Sequence, residues 1–287
     1  NNRIQRIHCD SYQGCYFISK FGTSGSTDGQ FISPNSIAVS YYDSSIYVAD
    51  STMRIQKFSK HGTFITKWGS AGTGDGQFTG PISLSVDDSG NVLVADAGAN
   101  NIQKFTSYGK FMKKWGSTGT GDQQFKSPKG ISAHFGNYAR GEFYVADTGN
   151  NRVMRFSGNP EGCIFDKTWG SDGVGNGQFK VIYGLTVDDL GNVYVSDNDG
   201  NLGVARVQKF DESGNFISQF GSYGTGPSQF RIPHDITVDS TGNIYIVDED
   251  RQNSIMKFDS QYNFITTLSV GDGIPRGITS DAANLYA

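Results

Sequence analysis

The chain has 287 residues and a formal net charge of −4, so its overall charge provides no general attraction to nucleic acids or anionic lipids. Its 38 glycines, 14 tyrosines and 20 phenylalanines, with only 18% charged residues, favour turns and aromatic-packed strands over helices. No run approaches the roughly 20 apolar residues that a membrane-spanning helix requires. We therefore expect an all-β protein.

The first predicted element is a hairpin near the N-terminus. Its tip lies between Cys9 and Cys15, where cross-strand cysteines could form a disulfide of ordinary geometry. Metal binding is the weaker alternative, because two thiols without a second pair or a nearby histidine cannot complete a tetrahedral zinc site. The sequence therefore allows either a Cys9–Cys15 disulfide or two reduced thiols.

A repeated unit of about 50 residues dominates the chain after this hairpin. Each unit contains a YVAD-like strand that ends in aspartate, a short polar loop and an IQKF-like strand. The aspartates are Asp50, Asp96, Asp147, Asp197 and Asp248. Recurrence in every unit indicates a shared structural role, such as accepting backbone N–H bonds from the next loop, and not a ring of catalytic acids.

One unit contains four predicted strands, illustrated by residues 82–86, 91–95, 102–105 and 111–115. Apolar and polar residues alternate within them, and turn signals such as Asp-Asp-Ser-Gly-Asn at 87–91 separate them. Four-stranded units of this length are typical of β-propeller blades.

The two ends of the chain each carry half a unit. Residues 1–7 match the third strand and its preceding loop, and residues 277–287 match the first and second strands. Residues 1–22 and 277–287 are therefore expected to form one blade together, which removes the open edge of the ring. We predict a single six-bladed β-propeller over residues 1–287. Because the aspartate expected between the two ends is missing, we also expect the natural protein to continue at one or both ends.

The repeats resemble the NHL family, whose units read roughly P-x-G-I-A-V-D, then G-N-I-Y-V-A-D-x-x-N-N-R-I-Q-K-F, then G-x-F and F-G. Residues 81–115 and 130–169 reproduce most of this pattern, and the resemblance covers essentially the whole chain. The glycine-rich linker at 72–78, with variants at 119–125 and 173–179, looks like the linkers of prokaryotic and archaeal members. The resemblance implies the fold but not the function, because the family includes RNA binders, protein-interaction modules and lyases.

In such a propeller the first strand of each blade lines the central channel, and the residue after the repeat's proline lies at the rim of its mouth. Six different side chains occupy this rim position: Asn35, Ile82, Lys129, Tyr183, His234 and Arg276. A position that only maintained the fold would be expected to repeat. The rim is therefore the predicted binding surface, although an unconstrained solvent-facing position would vary in the same way.

One position further into the channel, five blades have serine or glycine and the sixth has Asp235. Beside His234 and across the mouth from Lys129 or Arg276, this carboxylate could bind a cation or an amine, or assist proton transfer. The alternative is a structural carboxylate that pairs with Arg276 or is solvated by water in the channel.

A loop after the fourth complete YVAD-like strand is a candidate calcium site, and residues 248–250 form a similar but weaker one. Asp197, Asp199 and Asn201 place oxygen atoms at alternate positions, as calcium loops do, although the glycine and the final glutamate of an EF-hand are not in place. Calcium is therefore possible here, and a polar surface loop is the simpler interpretation.

Catalysis at the mouth is a further alternative. Amidating lyases that share the NHL propeller hold zinc with several histidines, whereas the four histidines here are scattered and only His234 falls on the rim. Sugar lactonases of related fold place carboxylates and asparagine around a channel calcium, for which Asp235 with Asn35 is thin support.

We therefore predict a non-catalytic binding or scaffolding module whose loop face and channel mouth engage a protein, glycan or polymer partner. The alternatives are a metal-dependent lyase or lactonase at the mouth, and an RNA-binding domain with Lys129 and Arg276 on a basic face. The acidic net charge makes nucleic acid the less expected partner. The candidate disulfide and the abundance of glycine, serine, threonine and asparagine favour an extracellular or cell-surface location.

Overall fold

A computed structural model describes residues 2–10, 14–134, 141–158, 163–199, 203–249, 254–271, 275–281 and 283–287. These residues form strands and turns, together with a three-residue 3-10 helix at Thr148–Asn150. In the described part of the chain, no helix has the length and apolar character needed to cross a membrane.

Six antiparallel sheets of four strands each follow one another along the chain and form the blades of a propeller. From the innermost strand outward, blade 1 contains Pro34–Val39, Ile46–Asp50, Arg54–Phe58 and Phe64–Trp68; blade 2 contains Pro81–Val86, Val92–Asp96, Asn101–Phe105 and Phe111–Trp115; blade 3 contains Gly130–Ala133, Phe143–Asp147, Arg152–Ser157 and Ile164–Trp169; blade 4 contains Ile182–Val187, Val193–Asn198, Ala205–Phe210 and Phe216–Phe220; blade 5 contains Pro233–Val238, Ile244–Asp248, Ser254–Phe258 and Phe264–Ser269; and blade 6 contains Thr279–Ser280, Asn284–Tyr286, Ile4–Asp10 and Gly14–Phe21. The predicted all-β, six-bladed fold is confirmed.

Short parallel strand pairs lie in the linkers between blades. They are Thr23–Ser24 with Gln30–Phe31, Ser70–Ala71 with Gln77–Phe78, Ser117–Thr118 with Gln124–Phe125, and Ser222–Tyr223 with Gln229–Phe230. The glycine-rich sequence suits these linkers, because Gly72 and Gly76 adopt positive φ angles of 148° and 77° that other residues rarely tolerate.

The burial of each strand follows its place in the blade. The second and third strands of blade 2 are buried at every position, because neighbouring blades cover both faces of the sheet. The outermost strand alternates between partly buried and exposed residues along most of its length. The hydrophobic core is therefore distributed over the seams between blades.

An aromatic residue occupies the same register of the outermost strand in five blades. These residues are Phe21, Trp68, Trp115, Trp169 and Phe220, and blade 5 has Leu268 at this position. Trp68, for example, packs edge-on to Tyr47 and against Phe105 of the next blade, with ring centroids 6.1 and 6.0 Å apart. The conserved register thus places aromatic packing in the seams.

The two ends of the chain pair within blade 6. Arg6 lies opposite Tyr286 and His8 opposite Asn284 in antiparallel register. Gln5 N donates to Ala287 O at 2.8 Å, and Ala287 N donates to Gln5 O at 3.0 Å. These bonds join the first and last segments and close the ring.

Four of the five recurring aspartates bind the linkers that lead into their own blades. Asp197 is fully buried, and its Oδ1 accepts the backbone N–H of Lys180 at 2.7 Å while its Oδ2 binds Arg206 Nε at 3.0 Å. The Arg206 guanidinium in turn donates to the carbonyls of Val174 and Gly175 in the same linker. The structural role is therefore as expected.

The source of the donors differs from the expectation. Asp96, Asp147 and Asp248 accept N–H bonds from Thr79, Lys126 and Arg231, which precede the first strand of each blade. The reason is that the chain enters each blade at the end where the second strand finishes, so the linker lies over the aspartate. Two aspartates do accept a backbone bond from the following loop: Asp50 from Thr52 N, and Asp96 from Ala99 N in addition to its bond from Thr79.

Arg206→Met should lower the free energy of unfolding by about 3–5 kcal/mol, because it leaves the Asp197 carboxylate buried without its cation. Urea denaturation measures this change. Lys180→Met is the matched control, because Lys180 pairs with an exposed Asp172 at 3.0 Å and such pairs contribute about 1 kcal/mol or less. Equal losses in both variants would contradict the structural role of Asp197.

Candidate binding site at the channel mouth

All six predicted rim residues surround one small cavity at one end of the channel. The cavity has a volume of about 50 Å³. It is lined by Asn35, Ile82, Lys129, Tyr183, His234 and Arg276, and one position further in by Ser36, Ser83 and Asp235. The sequence prediction therefore identified side chains that meet in space, although their role in binding stays a prediction.

A β-bulge directs the rim residue of four blades. The pairing of the first strand with the second shifts register between Pro34 and Ser36, and the same shift occurs at Pro81, Ile182 and Pro233. In blades 1 and 2 the extra residue is the rim residue itself, and in blades 4 and 5 the rim residue and the one after it lie opposite a single residue. The rim residue therefore makes no regular ladder pair and lines the mouth. The repeat pattern predicted which residue lies at the rim, but it did not predict the bulge that displays that residue.

Blades 3 to 5 contribute a row of cationic and aromatic groups. Lys129 Nζ lies 4.5 Å from the centroid of the Tyr183 ring, and the Tyr183 and His234 ring centroids are 5.0 Å apart. His234 Nε2 lies 3.7 Å from Glu249 Oε1. Burial lowers the pKa of both Lys129 and His234, and the Glu249 carboxylate partly opposes this shift.

Arg276 completes the row on blade 6. Its side chain is exposed, and its backbone oxygen lies 3.2 Å from His234 Nδ1. A carbonyl can only accept, so this contact places a proton on Nδ1 and leaves Nε2 facing Glu249. The mouth therefore combines an exposed cation, a partly desolvated cation and two rings in tilted contact.

Asp235 links two blades through backbone bonds. Its Oδ1 accepts from Ile236 N at 3.0 Å and its Oδ2 from Ile278 N of blade 6 at 2.8 Å. Serine hydroxyls do the same elsewhere, since Ser36 Oγ accepts from Leu84 N of the next blade at 3.0 Å. Of the two interpretations that the sequence allowed, the structural one fits better. Its partner is the backbone, however, and no ion pair with Arg276 occurs among the described residues.

Burial raises the pKa of Asp235 to about 7, against the opposing effect of its two backbone donors. A carboxyl group that is protonated near neutral pH could also exchange a proton with a ligand in the mouth.

The candidate calcium loop is only partly described. The Asp197 carboxylate is occupied by Arg206 and by the N–H groups of Lys180 and Val181. Asp199 Oδ1 accepts from Gly203 N at 3.4 Å, and Asn201 lies outside the described residues. Within the described ranges, no three His, Cys, Asp or Glu side chains are grouped to hold a metal. Calcium binding stays a prediction.

Cys9 and Cys15 face each other across the hairpin of blade 6 and are joined by a disulfide, with their Cα atoms 4.0 Å apart. Cys163 is buried, and its Sγ donates to Gly141 O at 2.9 Å. The bridge lies in the outer hairpin of blade 6, and neither cysteine lines the cavity at the mouth.

The architecture defines a β-propeller, and comparison with known families agrees. Residues 178–285 match a family described as a six-bladed β-propeller. Residues 78–105 match the NHL repeat. The chain is therefore a six-bladed β-propeller that contains an NHL repeat at residues 78–105.

The proteins that resemble this chain in sequence include both repeat proteins and enzymes by name. Human NHL repeat-containing protein 3 is 37% identical over 75 residues, which cover 26% of this chain and 21% of that protein. Peptidyl-glycine alpha-amidating monooxygenase A of Xenopus laevis is 36% identical over 101 residues, 33% of this chain and 10% of that protein. The chain thus matches about a fifth or less of the length of these relatives.

Among solved structures, a gluconolactonase from Xanthomonas campestris superposes with a TM-score of 0.64 at 14% identity. The match covers 90% of this chain and 86% of that one. At this level of identity the likeness establishes the fold alone.

Asp235→Asn should change how stability depends on pH. The raised pKa means that the folded state holds a proton that the unfolded state releases above about pH 4. Wild-type stability should therefore fall relative to Asp235→Asn by up to about 1.4 kcal/mol for each pH unit between about pH 4 and 7. Urea denaturation at several pH values measures this.

Asp259→Asn is the control for this experiment. Hydrogen bonds from Asn263 lower the pKa of exposed Asp259, so its contribution is present above about pH 4 and is lost only in more acidic solution. A flat difference between wild type and Asp235→Asn over the same range would show that Asp235 is ionised throughout.

Alkylation with iodoacetamide under denaturing conditions should label one thiol, Cys163, before reduction and three afterwards, because Cys9 and Cys15 are bonded. Intact mass spectrometry counts the adducts. Three adducts without reduction would contradict the bridge.

Proposed function

We propose that the chain is a non-catalytic binding or scaffolding module that engages a protein, glycan or polymer partner through its loop face and channel mouth. The convergence of Lys129, Tyr183, His234 and Arg276 at one mouth supports this most directly. Four chemically different groups, each held by a separate blade, form a recognition surface without a reactive pair.

The chemistry of the mouth favours an anionic group on the partner. Lys129 is partly buried against the Tyr183 ring, where a carboxylate or sulfate would bind it more strongly than in water. Arg276 is exposed and can donate two parallel hydrogen bonds to such a group. A volume of about 50 Å³ admits the end of one side chain or sugar substituent, whereas pockets for whole small molecules typically exceed about 300 Å³.

A metal-dependent lyase or lactonase acting at the mouth is the alternative that the named relatives favour. Asp235, His234 and Asn35 would be its polar residues. The two backbone bonds to Asp235 weigh against this, because a ligand oxygen would have to leave them. Elemental analysis of the purified chain showing one tightly bound zinc or calcium per molecule would favour the enzyme.

The disulfide supports a proposal about location. Structural disulfides persist in oxidising compartments, so we place the protein at the cell surface or in the extracellular medium. There the mouth would meet acidic glycans or acidic segments of proteins.

Lys129→Met with Arg276→Met should weaken binding to heparin and to poly-L-glutamate at least tenfold, because it removes both cations of the mouth. Lys67→Met with Lys180→Met is the matched control, with the same change in net charge at exposed pairs with Asp28 and Asp172. Fluorescence anisotropy with labelled polymers at fixed salt measures both.

If the two double variants weaken polymer binding equally, the binding reflects general charge attraction, and the mouth is not the binding site. A third arm uses labelled poly(U). If it binds more tightly than either polyanion, with strong salt dependence and loss in the rim variant, the RNA-binding alternative replaces this proposal.

A further inference from the structure

A second and much larger cleft lies between blades 5 and 6. Its volume is about 700 Å³, compared with about 50 Å³ at the channel mouth. Its walls include Tyr245, Lys257 and Ile265 of blade 5, and Asp281, Leu285 and the Cys9–Cys15 disulfide of blade 6. No rim residue of the mouth contributes to it.

The seam between these blades differs from the others in two respects. Blade 5 has Leu268 in the register where the other blades have phenylalanine or tryptophan. In the seam between blades 1 and 2, Tyr108 of the outer turn covers Lys57, with Nζ 4.4 Å from the ring centroid. Between blades 5 and 6, the disulfide-closed hairpin replaces that short turn. The seam between blades 5 and 6 therefore has an aliphatic side chain where the others have an aromatic ring.

Lys257 is the polar group at the floor of this cleft. The residue is 7% exposed, and its Nζ lies 5.4 Å from the Tyr245 ring centroid and 4.0 Å from Cys15 Sγ. Within the described residues, no carboxylate oxygen lies within 4 Å of it. A buried ammonium without a counter-charge is costly.

The equivalent lysines of other blades have such a partner. Lys57 binds Asp43 at 3.3 Å, Lys104 binds Asp87 at 2.7 Å and Lys209 lies 3.9 Å from Asp188.

The corresponding aspartate in blade 5, Asp239, keeps the tyrosine and asparagine bonds that Asp188 makes in blade 4. Asp239 accepts bonds from Tyr245 Oη at 3.0 Å and from Asn243 Nδ2 at 2.9 Å. Its carboxylate, like that of Asp281, lines the cleft without reaching Lys257.

The cleft therefore presents one buried cation, an apolar wall and three carboxylates, which belong to Asp10, Asp239 and Asp281. A simple anion would be attracted by Lys257 but repelled by Asp239 and Asp281, so a ligand with charges of both signs fits better. We propose that the cleft binds a small zwitterion of the amino-acid class, its carboxylate at Lys257, its ammonium at the aspartates and its side chain against Ile265 and Leu285. This site is independent of the function proposed for the mouth.

Thermal unfolding without ligand tests the floor of the cleft. Lys257→Met should keep or raise the melting temperature, because it removes an unpaired buried charge and retains the length of the side chain. Lys104→Met is the matched control and should lower it, because Asp87 is left buried without its partner at 2.7 Å. A clear fall for Lys257→Met, equal to that of Lys104→Met, would contradict the unpaired state.

Isothermal titration calorimetry tests the ligand class with three probes. L-leucine carries both charges, N-acetyl-L-leucine keeps only the carboxylate and L-leucinamide keeps only the ammonium. L-leucine should bind at least tenfold more tightly than either derivative. Lys257→Met should weaken L-leucine and N-acetyl-L-leucine at least tenfold, and leave L-leucinamide and the Lys104→Met control unchanged.

Three results would overturn the proposal. They are no heat from any probe at 10 mM, an affinity for L-leucine that Lys257→Met does not change, and N-acetyl-L-leucine binding as tightly as L-leucine. The rim variant Lys129→Met with Arg276→Met should retain L-leucine binding, so this site and the mouth can fail separately.

Discussion

Backbone pairing between residues 5–8 and 284–287 is the contact on which the rest of the structure depends. Each blade buries its two faces only against its neighbours, so an open ring would expose an apolar face on blade 1 and another on blade 5. The channel and its mouth exist only when all six first strands surround one axis. The bond from Ile278 N to Asp235 crosses the same closing region, which links the geometry of the mouth to the closure of the ring.

What repeats in this chain stabilises the ring, and what departs from the repeat marks the candidate sites. The buried aspartates and the aromatic residues of the seams recur because every blade must be joined to the next in the same way. The rim residues recur in position but not in identity, and the bulge that displays them is itself repeated. The scaffold thus fixes where a side chain points while leaving its chemistry unconstrained.

Most of the fold could be predicted from the sequence, since the period of the units and the half-unit at each end are visible in the order of residues. The rim residues could be predicted because five of them follow the repeat's proline, and Tyr183 follows Ile182 in the same register. The partner of Asp235 could not, because Ile278 N belongs to another blade and a backbone donor has no sequence signature. The sequence also could not predict that Lys257 lacks a carboxylate partner among the described residues. Asp239 occupies the expected position in the repeat, but its carboxylate does not come within 4 Å of the lysine.

Internal cations give the most direct link between the packing and the two candidate sites. Arg54, Lys104, Arg152 and Arg206 each bind a buried carboxylate at 3.1 Å or less, so their charges are satisfied within the fold. Lys129 and Lys257 are partly or largely buried without such a bond among the described residues, and each faces a cavity. A stable protein tolerates a desolvated cation more readily where an outside group can approach it. The same rule that explains the paired cations therefore points to the two places where this propeller is prepared to receive an anionic group.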